Sequence, residues 1–200
     1  MPRNVIRYTE EQADVVDHMV TKDGIVLVEA GAGSGKSFMS RQIVQELPLK
    51  SGIYTAFNKA IVEEGVERFY GTPIQCKTLH ALAYQYVRPE KEIKSFTYKC
   101  ITEKISYTEK RKIIEVIDTF YVSDSSCMFD YFEEVFKDHS RKDYMINLAT
   151  KYVQGMADGD VNPTFNFLLK SLHLMLAEKT VSIDVDIVIV LESSVITCLP

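Results

Sequence analysis

Residues 30 to 37, Ala-Gly-Ala-Gly-Ser-Gly-Lys-Ser, have the types and spacing of a phosphate-binding loop. They follow an apolar run at 25–28 and lead into a helical pattern, which is the context that such a loop requires. The glycines let successive backbone N–H groups point at one anion, and the helix N-terminus adds partial positive charge. The alternative is a glycine-rich turn before a helix. The spacing predicts a nucleoside triphosphate site at Gly31, Ala32, Gly33, Ser34, Gly35, Lys36 and Ser37.

Two side chains of this loop can bind the phosphates and the metal ion. Lys36 can reach the β- and γ-phosphates, and the Ser37 hydroxyl can ligate Mg²⁺.

Upstream of the loop, Gln12 follows Thr9 by three residues, and this spacing allows two interpretations. The pair can form a capping box at the start of a helix. Alternatively, the Gln12 carboxamide can recognise the adenine edge, because it offers both a donor and an acceptor.

Polar residues also follow two further runs that we predict to be strands, and the ends of parallel strands are where a sheet presents its ligands. Asn58 and Lys59 follow the run at 52–57, while Thr78 and His80 follow the run at 74–77. Each set can cap a helix or carry a solvated charge, or it can bind nucleic-acid phosphates. Three aromatic residues at these spacings are either core residues or base-stacking residues: Tyr54, Phe57 and Tyr84.

The elements that position these residues alternate between strand and helix over the first 90 residues. We predict strands at 25–30 and 52–57 and a third, short strand at 74–77, each followed by a helical pattern. Such alternation predicts an α/β fold with a parallel sheet, as in RecA-like P-loop NTPases. Residues 91–180 are charged, aromatic-dotted and mainly helical, with loops at 122–126 and 155–159. We interpret them as a helical insertion, after which a single strand returns to the sheet within 181–200.

Composition narrows the class of protein only slightly. Apolar residues make up 46% of the 200 residues, which is enough for a packed core. The net charge of −5 gives no bulk signal for nucleic acid, although local patches can still bind it. The four cysteines lack zinc-ligand spacing. Without a signal-peptide pattern or a long apolar run, we expect a cytoplasmic protein (nuclear in a eukaryote) that does not enter a membrane.

Four motifs in this order carry a family resemblance: Tyr8–Gln12, Ala30–Ser37, Ala56–Ala60 and Thr78–Ala83. Together they resemble the N-terminal half of UvrD/PcrA/Rep-like superfamily 1 DNA helicases. The forms Ala-Phe-Asn-Lys-Ala and Cys-Lys-Thr-Leu-His look most like the F-box DNA helicase branch. The resemblance is clearest over residues 6–90 and resumes near 160–197.

The resemblance implies an ATP-dependent helicase that acts on single-stranded DNA, with ATP and Mg²⁺ as cofactors. Gln12 would then read adenine, and Lys36 would act on the triphosphate. Residues 91–180 would form the family's 1B subdomain, which helps to grip duplex DNA. Four residues would line the single-stranded DNA track: Asn58, Lys59, Thr78 and His80.

The chain departs from the family at its second NTP motif, an apolar strand followed by Asp-Glu-x-x-Asp. Residues 191–195 read Leu-Glu-Ser-Ser-Val, so Leu191 replaces the Mg²⁺-binding Asp. Glu192, the expected base for the attacking water, stays in register. Asp186 cannot substitute, because five extended residues place it roughly 16 Å away.

The 200 residues also include no second RecA-like domain to supply an arginine finger, which is typically worth on the order of 10³–10⁵ in rate. We therefore expect a truncated or degenerate helicase whose isolated chain is inactive, with a second motor domain or a full-length helicase as a partner in trans. Two alternatives stay open. One is a catalytically inactive ATP- or DNA-binding module, and the other is a small P-loop kinase, although no kinase-like lid is recognisable.

Overall fold

A computed structural model describes residues 8–21, 26–29, 33–191 and 195–199. The strands are β1 (Val26–Glu29), β2 (Gly52–Ala56), β3 (Ile74–Thr78), β4 (Ile187–Leu191) and β5 (Val195–Leu199). The α-helices are α1 (Glu10–Thr21), α2 (Lys36–Glu46), α3 (Lys59–Arg68), α4 (Leu79–Val87), α5 (Tyr107–Val122), α6 (Met128–Val135), α7 (Lys142–Ala157) and α8 (Phe165–Ala177). A 3₁₀ turn spans Tyr98–Cys100.

These elements divide into two compact units. The described residues of Met1–Leu79 and Ile183–Pro200 form the sheet unit, and His80–Ser182 forms the helical unit. The predicted insertion at 91–180 falls within the helical unit. The assignment of these units to helicase subdomains stays a prediction.

The five strands form one sheet in the order β1-β5-β4-β2-β3. The prediction of a parallel sheet holds for β4, β2 and β3. It is wrong for β5, which runs antiparallel to both β4 and β1. Residues 192–194 separate β4 from β5, and so short a connection permits a hairpin but not a parallel crossover. The chain therefore returns to the sheet with two strands instead of the predicted one.

Apolar side chains from β2, β4 and the helices around them form the core of the sheet unit. Tyr54 is fully buried, and its ring lies 5.1 Å from that of Phe69. The core interpretation of Tyr54 is therefore correct. Gly65 of α3 permits this packing, because a Cβ there would stand 2.5 Å from the Tyr54 ring. The remaining core residues include Ile43, Val44, Ala56, Val62, Ile74, Ile187 and Ile189.

The helical unit has a separate core in which α5 packs against α7 and α8. Phe120 of α5 lies at its centre, with its ring 5.6 Å from that of Phe132. Lys170 of α8 is only 3% exposed and donates hydrogen bonds to the carbonyls of Ser123 and Ser125. Burial lowers the pKa of this lysine. Its side chain therefore ties α8 to the loop that follows α5.

The predicted loop at 155–159 is partly helical, because α7 continues to Ala157. Gly155 is buried in the last turn of α7, where a Cβ would stand 2.8 Å from the Val161 side chain. The glycine thus marks a close helix–loop contact, and the loop begins only after α7 ends. Among the described residues, no helix has the length and apolar character needed to cross a membrane.

Candidate functional site

The predicted phosphate loop connects β1 to α2, in the strand–loop–helix arrangement that the motif requires. Gly33 has φ 78° and Gly35 has φ 87°, both in the left-handed region that favours glycine. Gly35 is the N-cap of α2, and its carbonyl accepts the first helical bond from the Met39 N–H at 2.9 Å. Predicted residues 31 and 32 lie outside the described residues, so their place in the loop stays a prediction.

Lys36 and Ser37 occupy the first turn of α2, and both are half-buried. A helix presents its first-turn N–H groups and its partial positive charge at this end. Ser40 is fully buried one turn later, and its hydroxyl donates to the Ser37 carbonyl at 3.0 Å. These groups fit a phosphate chain with Mg²⁺. The left-handed glycines and the cationic side chain suit the phosphates, and the hydroxyl suits the metal ion.

Gln12 serves the structural role that its spacing predicted. The Thr9 N–H donates to Gln12 Oε1 at 3.2 Å, and the Gln12 N–H donates to Thr9 Oγ1 at 3.3 Å. This reciprocal pair is a capping box at the start of α1. The amide nitrogen of the same side chain lies 3.3 Å from where a Cβ on Gly35 would stand. The capping interpretation is thus confirmed, and the structure also brings Gln12 to the phosphate loop.

Asn58 and Thr78 lie at one edge of the sheet unit. Strands β2 and β3 are parallel neighbours, and Ala56, the last residue of β2, pairs with Thr78. Asn58 is the N-cap of α3, and its Oδ1 accepts from the Ile61 N–H at 2.9 Å. Lys59 extends from the same helix start with 86% of its side chain exposed, and forms a 3.5 Å surface ion pair with Glu63. Such exposed pairs are weak and yield readily to a phosphate.

Two of the three aromatic residues that the sequence indicated are exposed. Phe57 directly follows β2 and is 69% exposed, and Tyr84 of α4 is 50% exposed. These two rings therefore differ from Tyr54 and remain accessible for stacking. The sequence allowed either a core or a base-stacking role for the three rings, because residue spacing alone does not show which side chains project beyond the core.

His80 belongs to the helical unit, in the first turn of α4. Its ring meets that of Phe165 edge-on, with centroids 5.0 Å apart and an interplanar angle of 72°. Partial burial lowers the pKa of His80 below its usual value and so favours the neutral imidazole. A neutral ring does not attract phosphate as a cation does. Sequence analysis missed Phe165, since its contact with His80 joins residues far apart in the chain.

Leu191, the first residue of the predicted second NTP motif, lies at the same sheet edge as the predicted phosphate loop. Glu29, the last residue of β1, pairs with Val195, while Leu191, the last residue of β4, pairs with the adjacent Ile196. Because β5 is antiparallel to both neighbours, β1 and β4 run in the same direction. Their ends lie about 10 Å apart, across one intervening strand. The predicted base Glu192 follows directly but lies outside the described residues.

Asp186 lies at the opposite, amino end of β4. Its carboxylate accepts hydrogen bonds from the backbone N–H groups of Lys50 at 2.6 Å and Ser51 at 2.8 Å. These bonds hold the pKa of Asp186 below its usual value. The aspartate therefore joins the start of β4 to the start of β2, at the sheet end away from the phosphate loop.

Comparison with known proteins gives a partial relationship to DNA helicases. The chain is 32% identical over 79 residues to F-box DNA helicase 1 of Gallus gallus. It is 34% identical over 76 residues to F-box DNA helicase protein 1 of Schizosaccharomyces pombe. These matches cover 40% and 38% of this chain but only 8% of each relative. No protein-family model and no solved structure matches the chain. The chain is thus similar, over two fifths of its length, to helicases of the F-box type.

Proposed function

We propose that this chain is the ATP-binding part of a DNA helicase or translocase that acts on single-stranded DNA. ATP and Mg²⁺ would be held by the loop at 31–37, with Lys36 at the β- and γ-phosphates and Ser37 at the metal. Gln12 would contact adenine from its position beside Gly35. The partial similarity to F-box DNA helicases supports the helicase class.

The observation that carries this proposal is the common direction of the strands. β1, β2, β3 and β4 all end at one edge of the sheet unit. That edge therefore collects the phosphate loop together with Asn58, Lys59 and Thr78. A nucleotide site and a nucleic-acid surface on one sheet edge provide the proximity needed to couple ATP binding to DNA binding.

The exposed groups at this edge suit a surface that contacts the sugar–phosphate backbone of DNA. The start of α3 offers Lys59 and the helix N-terminus to phosphates, and Phe57 offers a ring to bases. Such contacts do not choose a sequence. With few cations involved, binding should be weak and should fall as the salt concentration rises.

A catalytically inactive ATP- and DNA-binding module is the second candidate, and Leu191 favours it. An apolar side chain at the end of β4 supplies no oxygen to Mg²⁺, whereas an aspartate there would. The two candidates share their binding sites and differ only in turnover.

Calorimetric titration of the chain with Mg²⁺-ATP tests the nucleotide site. Lys36→Ala should weaken ATP binding at least about ten-fold, because it removes a charged hydrogen bond to phosphate. Arg41→Ala is the matched control, since it removes an exposed cation from the same helix. Equal ATP affinity in the wild type, Lys36→Ala and Arg41→Ala would refute the site.

A further inference from the structure

A cleft lies within the helical unit. It has a volume of about 330 Å³ and is formed by residues 93–96, Asp118 of α5 and residues 164–166 at the start of α8. Its lining combines an aromatic ring with amide, hydroxyl and carboxylate groups. No residue of this cleft was singled out from the sequence.

Phe165 forms one wall of this cleft, and neighbouring groups hold its ring in place. The side chain is 55% exposed, while the edge-on contact with His80 supports the ring. Thr164 caps α8 by accepting from the Phe167 N–H at 3.1 Å, which fixes the backbone beside the ring. A large ring that is held in place yet open to solvent is a surface on which a planar base can stack.

The charged groups of the cleft favour a base over a phosphate. Asp118 is exposed to solvent in the cleft and would repel a phosphate, but a carboxylate accepts hydrogen bonds from the amino groups of bases. The 3.1 Å ion pair of Lys94 with Glu92 is exposed and therefore weak, so the Lys94 ammonium group can still contact a phosphate next to a bound base. Asn166 adds a carboxamide that can both donate and accept.

We propose that this cleft binds one nucleobase of single-stranded DNA, with Phe165 as the stacking surface and Asp118 as an acceptor for an exocyclic amino group. The proposal rests on the proposed function, because its ligand is the same class of DNA. It adds a base-binding site within the helical unit. Cytosine carries an N4 amino donor and thymine carries an O4 acceptor at the corresponding position. The cleft should therefore prefer cytosine.

Fluorescence anisotropy with the full chain tests the cleft. The probes are labelled oligo-dC, oligo-dT and an abasic oligonucleotide of equal length. Phe165→Ala should weaken binding of oligo-dC about five-fold or more, the lower range for losing one stacked base, and should leave the abasic oligonucleotide unaffected. Asp118→Asn should reduce the preference for oligo-dC over oligo-dT.

Phe129→Ala is the matched control, because Phe129 lies on α6 of the same unit and is 54% exposed. Phe165→Tyr should retain wild-type binding and Phe165→Leu should not, which separates stacking from apolar packing if the alanine variant folds poorly. Wild-type binding by both Phe165→Ala and Phe165→Leu would overturn the cleft while leaving DNA binding at the sheet edge intact. If the wild-type chain binds none of the oligonucleotides, the DNA-binding part of the proposed function fails together with the cleft.

Discussion

At the scale of single residues, Gln12 combines a structural role with the ligand contact that we propose for it. Its amide oxygen completes the capping box with Thr9, while its amide nitrogen lies beside Gly35. The capping bond orients the carboxamide toward the loop that we propose for ATP. A structural role for a residue therefore does not exclude a ligand contact by its other atom.

Gly33 and Gly71 give a matched test of the phosphate loop. Both have φ 78°, and among the residues that the structure describes an added Cβ would meet nothing within 4 Å at either position. Replacing either with alanine should lower the free energy of unfolding by about 1 kcal/mol, because alanine disfavours the left-handed region. Thermal or urea denaturation measures this cost.

Only Gly33→Ala should also weaken ATP binding, since the left-handed turn at this position directs loop N–H groups to the phosphates. Gly71→Ala has the same backbone conformation in the turn after α3, so its ATP affinity should match the wild type. Calorimetric titration of the two variants compares these affinities. Equal ATP affinity in Gly33→Ala and the wild type would argue against a phosphate loop here.

At the scale of elements, the connection from β2 to α3 combines a helix cap with the proposed DNA surface. Asn58 ends the extended chain and accepts from the Ile61 N–H, so it fixes the direction of α3. The same geometry directs the helix N-terminus, Lys59 and the exposed Phe57 to one edge. Capping and DNA binding can be separated by substitution, because several residue types cap equally well.

Asn58→Asp should retain the stability of the fold, because Asp caps a helix about as well as Asn. It should still weaken binding of single-stranded oligonucleotides, since it adds a negative charge to the proposed phosphate surface. Asn58→Ala is the comparison for stability and should cost about 1 kcal/mol through loss of the cap. Anisotropy and thermal denaturation measure the two effects. Unchanged DNA affinity in Asn58→Asp at low salt would count against this surface.

At the scale of the whole molecule, the sheet brings together motifs that lie far apart in the chain. The hairpin of β4 and β5 places the end of β4 one strand away from the end of β1. Leu191 therefore stands at the edge where the phosphate loop begins. This arrangement makes position 191 the place at which to test the metal ligand that we propose the chain has lost.

Leu191→Asp should tighten Mg²⁺-dependent ATP binding, because a carboxylate at the end of β4 adds an oxygen ligand near the phosphate loop. Leu191→Asn is the uncharged comparison for this binding experiment.

The unmodified chain should show no measurable DNA-stimulated ATP hydrolysis, because general-base assistance does not replace charge neutralisation by the metal. Phosphate release in the presence and absence of oligo-dT measures turnover. Robust DNA-stimulated hydrolysis by the unmodified chain that is lost in Lys36→Ala would contradict the role given to Leu191.

The sequence by itself determined the local features whose causes lie within a few residues. Short-range spacing and periodicity predict the Thr9 and Asn58 caps, the strand–loop–helix context of Lys36 and the parallel direction of β2 and β3. Leu191 is likewise read directly from the second motif.

Only the tertiary structure decided features that depend on contacts between distant segments. Local spacing gives no sign of three such features: the place of β5 between β4 and β1, the hydrogen bonds of Asp186 to the start of β2, and the pairing of His80 with Phe165. The core position of Tyr54 and the exposure of Phe57 also required the structure. The physical reason is that side-chain burial and strand order depend on which surfaces meet after folding, and periodicity within one element does not specify its partner.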